Sequence, residues 1–367
     1  TYIPPMQDNL SFSRRTFARA IGAGAILAAV PKLALAKTPP LSSVRLSSNE
    51  NPYGPAPAAM RAMTDALRTA PRYPDELNDE LANDVAKLHG VNANQVLLGD
   101  GSSDILRLVA AAFLAPGKKL ITADPTFESI GMHAVNYGAE VVKVQLTASH
   151  AHDLAKMTGG SLVYICNPNN PTATITPKAA LRSYIEALPA GTMVVVDEAY
   201  FHYATSPDYE SVIPLIASHP NLIVARTFSK IYAMAGIRAG YAVAQAATID
   251  KLQAQQQWDV MNVVALTGAK ASLADPDHVP LARKRNSDTK AWLAGELQKS
   301  RYEVLPSEAN FVMIDMRQNV KPLIAQMRGE GVHVGRLFPA MPHHLRVTIG
   351  TPEEMERFIG AFRQIKA

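Results

Sequence analysis

The sequence predicts an α/β protein: a large domain on a mostly parallel, seven-stranded sheet, then a smaller α+β domain. Two observations carry this reading. Between residues 95 and 256, seven short apolar runs alternate with stretches of helical periodicity, the pattern of strands joined by crossover helices. Beyond about residue 280 the alternation stops, and one long charged helical stretch leads into further strand runs and a closing helix. The 367 residues are 47% hydrophobic, enough for two cores and too much for a disordered chain.

The elements follow in order. Residues 1–36 read as an export signal rather than as fold. Arg14-Arg15 follows a polar start, an apolar stretch runs from Ala20 to Val30, and Ala34-Leu35-Ala36 places small residues at a cleavage position. These three parts match a signal peptide of the twin-arginine type; the alternative is an amphipathic N-terminal helix. The apolar stretch is shorter than the roughly 20 residues that span a bilayer. The expectation is a periplasmic or exported protein with no stable membrane insertion after cleavage. Residues 38–57, rich in Pro, Ser and Asn, read as an irregular arm. With the helical stretch 57–70, the segment 37–70 forms the arm and part of the small domain. The large domain, 71–275, opens with a helix at 75–89. Its strands are expected at 95–98, 119–123, 140–144, 162–166, 193–197, 222–226 and 240–244, with helices near 103–115, 127–137, 177–188 and 248–256. The small domain, 276–367, holds a helix at 282–299, strands near 302–305, 311–315 and 345–349, and a helix from Pro352.

Composition narrows the function. The lone Cys166 excludes an intrachain disulfide framework and a cysteine-rich zinc site. The ten histidines show no paired ligand spacing, so no metal is expected. The formal charge is +4, and residues 1–36 hold four cations against Asp8, a local +3 that leaves +1 on the rest. A near-neutral body offers no electrostatic footprint for nucleic acid.

In open α/β sheets ligands sit beyond the C-terminal ends of the strands, and four strand ends carry suggestive residues. Asp100-Gly101-Ser102-Ser103-Asp104 follows the first strand and opens a helix, where free backbone N–H groups suit a phosphate; a simple N-cap is the plain alternative. Residues 167–172, Asn-Pro-Asn-Asn-Pro-Thr, are held open by proline and offer a carboxamide donor, although such residues also make ordinary turns. Asp197-Glu198-Ala199-Tyr200 ends an apolar strand, where a carboxylate is costly without a cationic partner. Adjacent strand residues face opposite ways, which argues against joint metal ligation by Asp197 and Glu198. Thr227-Phe228-Ser229-Lys230 follows the next strand; a buried lysine there is a nucleophile, and a surface lysine is the alternative. Arg238 lies eight residues on, between Gly236 and Gly240. An anion cradle, an amide donor, a buried carboxylate and a reactive lysine are the groups that pyridoxal 5′-phosphate requires.

At this point the chain resembles the fold-type I pyridoxal-phosphate aminotransferases of class I/II, and within them the histidinol-phosphate aminotransferase branch. The resemblance covers about 45–360. It rests on Asn49-Glu50-Asn51-Pro52-Tyr53-Gly54-Pro55, Arg72-Tyr73-Pro74, Gly101-Ser102-Ser103-Asp104, Pro125-Thr126-Phe127, residues 167–172, Asp197-Glu198-Ala199-Tyr200, Ser229-Lys230 with Arg238, and Leu345-Arg346-Val347. It implies an enzyme that moves an amino group between a donor, an amino acid or a histidinol-phosphate-like amine, and a 2-oxo acid. A lyase, cyclase or oxidase on the same scaffold is the alternative. The implied roles are specific. Lys230 forms an aldimine with pyridoxal phosphate and moves the substrate proton, while Asp197 pairs with the ring nitrogen. Asn170 and Tyr200 bond the phenolate oxygen, and Phe127 stacks on the ring. Gly101, Ser102, Ser103, Thr227, Ser229 and Arg238 surround the phosphate. Tyr73 reaches the cofactor of a neighbouring subunit, which implies a homodimer. Tyr53, Asn170, Arg336 and Arg346 face the substrate. Two departures stand out. Ala173 replaces the family's glycine after Pro171-Thr172, which predicts a different loop path. Arg336 is shifted by one residue from the branch's second anion-binding arginine, which on a strand turns it to the opposite face.

Overall fold

The computed structural model describes residues 43–366, and the export segment expected at 1–36 lies outside them. The chain enters as β1 (Val44–Leu46), then α1 (Pro57–Ala66), α2 (Asp75–His89), β2 (Val96–Gly99), α3 (Ser102–Phe113), β3 (Lys119–Asp124), α4 (Ser129–Asn136) and β4 (Glu140–Gln145). It continues through β5 (Leu162–Cys166), α5 (Lys178–Ala187), β6 (Met193–Asp197), β7 (Leu222–Thr227), β8 (Gly240–Ala244), α6 (Ala246–Gln253) and α7 (Val263–Leu273). The last part comprises α8 (His278–Lys299), β9 (Glu303–Val304), β10 (Phe311–Asp315), α9 (Lys321–Gly329), β11 (Val332–Val334), β12 (His344–Thr348) and α10 (Pro352–Lys366).

The seven strands anticipated from their apolar runs form one sheet in the order β2-β8-β7-β6-β5-β3-β4. β7, β6, β5, β3 and β4 run parallel; β8 is antiparallel to both β7 and β2. The inner strands β5, β6 and β7 are mostly apolar and buried along nearly their whole length because both faces are covered. Val163, Ile165, Val194, Val196 and Val224 bury into one core, and Leu162, Tyr164, Val195 and Ile223 into the core on the other face. Chain order reverses between β3 and β5, since β4 lies on one side and β6 and β7 on the other. That reversal opens the crevice in which such sheets bind ligands.

Sequence also explains where helices stop. α2 has Asp75 and Glu76 in its first turn and Lys87 and His89 in its last, matching the helix dipole. It ends at Gly90 in the left-handed conformation, whose N–H closes back on the carbonyl oxygens of Ala86 and Lys87.

The C-terminal lobe is a three-stranded antiparallel sheet, β12-β10-β9, covered by α8 and α10 through Leu293, Leu297, Phe358 and Phe362. It belongs to the same compact unit as the large sheet. β1 pairs in parallel with β11, so part of the stretch read as an irregular arm is strand. Three residues between serines and prolines are too few to show an alternation. Two helices were not anticipated. α7 is mostly apolar, with Lys270 its only charge, and shows no amphipathic stripe, and α9 is only nine residues long, with Pro322 in its first turn. α8 also begins four residues before its expected start.

Candidate active site

The ends of β3, β5, β6 and β7 face the C-terminal lobe across a cavity of about 510 Å³. Its walls include Ser102, Ser103, Phe127, Asn170, Asp197, Tyr200, Thr227, Ser229, Lys230, Arg238, Arg336 and Arg346. Twelve of the fifteen residues singled out from sequence therefore meet in one place. Gly101 stands directly behind the wall. It has a φ of 80°, and a Cβ there would lie 2.4 Å from Arg238 Nη2, so only glycine permits both the turn and the close approach. Tyr53 and Tyr73 do not line the cavity. Tyr53 sits beside Arg285, whose guanidinium carbon is 4.6 Å from the ring centroid, and Tyr73 is 80% exposed.

One end of the cavity is an anion cradle. α3 begins at Gly101 with no side-chain cap, so its first N–H groups remain available. Thr227 Oγ1 donates to Ser229 Oγ at 2.9 Å, and Ser229 N–H donates back to Thr227 Oγ1 at 3.0 Å. Arg238 is held by the carbonyl oxygens of Ala235 and Asp100 at 2.9 and 3.3 Å. It has a φ of 65°, the left-handed conformation that non-glycine residues adopt at local cost and that concentrates at functional sites.

At the centre, Asp197 and Glu198 separate as the strand geometry requires. Asp197 faces the cavity. Glu198 turns away into a buried pair with Arg226, whose Nε is 2.8 Å from Glu198 Oε2, supported by Ser211 Oγ and Val212 N–H, both at 2.8 Å. Tyr164 donates its hydroxyl to Asp197 Oδ2 at 3.0 Å, and Ala199 N–H donates to Oδ1 at 3.1 Å. Burial pushes the Asp197 carboxyl up to about 6, opposed by the Tyr164 and Ala199 hydrogen bonds and by Lys230. Burial also raises the Tyr164 phenol well above its ordinary value, so it stays a donor. Lys230 Nζ reaches the carbonyl oxygens of Asn49 and Ser48 at 3.2 and 3.4 Å. Burial, then the charge of Arg346, lowers its amine to about 8. About a tenth of it is therefore in the neutral, nucleophilic form at pH 7, several hundred times more than for an ordinary lysine.

The Tyr164 contact was not singled out from sequence, because nothing in an apolar run marks one tyrosine as facing a carboxylate. It gives an expected result: Tyr164→Phe moves the pH midpoint for pyridoxal phosphate binding to the cofactor-free protein upward by about one unit, since one lost charge-assisted hydrogen bond is worth roughly that much. The sign follows from the donor favouring the ionised carboxylate. Cofactor affinity measured from pH 5 to 9 checks it, and an unmoved midpoint contradicts it.

At the far end, Arg346 is 8% exposed yet contacts no carboxylate among the described residues. Its Nη1 donates to Asn170 Oδ1 and its Nη2 to the Ser47 carbonyl oxygen, each at 2.6 Å. Burial lowers it to about 10, so it remains cationic at neutral pH. The Asn170 oxygen is thus engaged, and its amide hydrogens are left for another acceptor. Tyr200 accepts from Asn49 Nδ2 at 2.9 Å and keeps its own hydrogen to donate. Asn49, which lines the cavity and holds both Lys230 and Tyr200, lay within a quoted motif but had been given no role.

Both departures resolve physically. Ala173 adopts a φ of 63° and is fully buried, so the loop takes at this position the left-handed turn that a glycine takes freely. Arg336 lies beyond β11, after Gly335, so strand alternation does not govern it and it reaches the cavity. Gly335 itself is demanded by the fold, since a Cβ there would sit 2.7 Å from the Arg346 carbonyl oxygen.

An uncapped helix start beside Arg238, a buried carboxylate at mid-cavity and a lysine with a lowered pKa fit the phosphate, ring nitrogen and aldehyde of pyridoxal 5′-phosphate. Fold and site together define a pyridoxal-phosphate-dependent enzyme. The family described as aminotransferase class I and II matches residues 42–362. A histidinol-phosphate aminotransferase of Moorella thermoacetica is 37% identical over 332 residues, 88% of this chain and 86% of the relative. Histidinol-phosphate aminotransferase 2 of Pseudomonas aeruginosa is 38% identical over 334 residues, 89% and 90% of the two chains. Among solved structures, histidinol-phosphate aminotransferase from Sinorhizobium meliloti in complex with pyridoxal 5′-phosphate matches with a TM-score of 0.83 at 25% identity, over 88% of this chain and 91% of that one. The chain belongs to the aminotransferase class I and II family and is a pyridoxal-phosphate-dependent aminotransferase.

Proposed function

We propose that the amino donor is an amino acid whose α-carboxylate sits on Arg346, and that a 2-oxo acid takes the same seat in the second half of the cycle. The observation that carries this reading is a buried, charged guanidinium in the cavity wall whose hydrogen-bond partners, Asn170 and Ser47, are both neutral. Pyridoxal phosphate supplies an aldehyde to capture the amine and a protonated ring to accept the electron pair left by the α-proton. Ser102, Ser103, Thr227, Ser229 and Arg238 would hold its phosphate, Asp197 its ring nitrogen, Asn170 and Tyr200 its phenolate oxygen, and Phe127 its ring face. Lys230 would hold the aldehyde and, as a neutral amine, would take the α-proton of the donor. Asp197, kept ionised by Tyr164 and Ala199, holds the ring nitrogen protonated. Arg346 orients the donor so that its α-hydrogen faces Lys230.

Arg346→Lys is expected to raise KM for donor and acceptor by about 100-fold, because a single ammonium cannot reproduce hydrogen bonds worth about 1.5–3 kcal/mol to a carboxylate. Steady-state kinetics with a panel of L-amino acids checks this; unchanged KM values would remove the seat. The names of the relatives favour a second reading, in which histidinol phosphate is the donor and its phosphate occupies Arg346. The same panel, with histidinol phosphate included, separates the two.

The working unit in this reading is a homodimer. The support is apolar and aromatic surface without cover in one chain: Tyr73 and Trp258 are 80% and 95% exposed, and Met60 and Leu67 are also exposed. Tyr73 would complete the partner's phosphate site. Export by the twin-arginine route rests on Arg14-Arg15 and the stretch after it. Cell fractionation of the full chain and of an Arg14→Lys, Arg15→Lys variant tests it: the first is expected in the periplasm and the second in the cytoplasm.

A further inference from the structure

Resting on the reading that Arg346 seats the donor's anion, we propose that Glu128 determines specificity by supplying Arg336 with a counter-anion from within the chain. The site then selects donors carrying one negative charge over donors carrying two. Glu128 Oε2 and Arg336 Nη2 are 2.5 Å apart. The two residues come from different lobes, Glu128 from the turn after β3 and Arg336 from the segment after β11, and both line the cavity. The guanidinium carbons of Arg336 and Arg346 lie 4.4 and 5.1 Å from the centroid of the same ring, that of Phe338. Two cations thus stand side by side in the cavity wall, and among the described residues only Arg336 has a carboxylate partner. A donor with one carboxylate meets one uncompensated guanidinium. A second carboxylate, or a phosphate dianion, needs Arg336 as well and has to displace Glu128 or lie beside it.

The remaining surface agrees with an uncharged side chain. Phe127, Phe338 and Met132 line the same cavity, and Met132 is 61% exposed. The Glu128 and Arg336 side chains are 53% and 52% exposed, and an ion pair so exposed contributes little to folding. Its effect falls on what the site admits: discrimination is a difference of affinities, and a built-in repulsive charge supplies that difference.

The experiment compares wild-type holoenzyme with Glu128→Gln, with Glu128→Ala as a second variant. Single-turnover bleaching of the yellow protein is followed with L-phenylalanine, L-glutamate and histidinol phosphate as donors. The expected result is a rise of about tenfold or more, in both variants, in the efficiency ratio of each doubly charged donor to L-phenylalanine, since like charges a few ångströms apart in a partly buried site cost at least that much. The rise is expected in apparent affinity rather than in limiting rate. An unchanged ratio overturns the role of Glu128, including the case in which all donors slow together because the pair only braces the two lobes. Arg346→Lys, run alongside, separates the two levels of the argument. If it raises the donor concentration needed while the Glu128 variants leave the ratio unchanged, only the Glu128 proposal fails; if it changes nothing, the underlying seat fails.

Discussion

Lys230→Ala is expected to lower turnover by about 10,000-fold, the upper end of what a positioned proton carrier contributes, because in the proposed mechanism the same side chain both holds the cofactor and moves the substrate proton. The fold should survive. Lys230 Nζ makes only two described hydrogen bonds, to the carbonyl oxygens of Ser48 and Asn49, and the Asn49 oxygen keeps a donor in Asn310 Nδ2 at 3.0 Å. Removing a buried amine also removes its desolvation cost. Kinetics beside a thermal melt therefore separates chemistry from folding: turnover collapses while the melting temperature stays within a few degrees. A pH dependence goes with it. The Lys230 amine lies at about 8 in the cofactor-free protein, and the neutral form is the nucleophile. Reconstitution with pyridoxal phosphate should quicken as pH rises through about 8 and level off above it. Normal turnover by the variant would remove Lys230 from the mechanism.

Asp197→Asn should cost about 100- to 1,000-fold in kcat, the usual effect of deleting one preorganised electrostatic partner, with KM for the donor changed far less. Its carboxyl lies at about 6, raised by burial and held there by Tyr164, Ala199 and Lys230. In the cofactor-free protein, binding of pyridoxal phosphate should therefore weaken as pH falls through about 6, where the carboxylate protonates and no longer favours a charged ring nitrogen. Asparagine cannot titrate, so the variant should be uniformly slow and should bind the cofactor without that pH dependence. A variant that retains both the rate and the pH dependence would assign the titration to another group.

Much of this was legible in the chain, for reasons that differ by element. The large sheet was readable because its strands are buried on both faces and so stand out as apolar runs, and the crossover helices punctuate them. The reactive centre was readable because its residues follow those strands at once: Asp197 ends β6, and Lys230 comes three residues after Thr227 ends β7. What stayed hidden depends on long-range contact. β1 is a strand only because Val332–Val334 lies beside it, nearly 290 residues on. Tyr164 matters because the register of β5 on β6 brings it near Asp197. Glu128 and Arg336 are 208 residues apart, and no local pattern announces that they meet. Tyr53 and Tyr73 mark the other limit: in the single chain both lie on the surface, away from the cavity wall.

In the proposed mechanism Lys230 is the residue that holds pyridoxal phosphate. Borohydride reduction of the reconstituted, yellow holoenzyme, followed by proteolysis and mass spectrometry, tests this directly. The predicted result is the reduced cofactor attached to Lys230, with no attachment once an amino donor has bleached the protein beforehand. Attachment to another lysine, or none in protein that binds the cofactor, would contradict it.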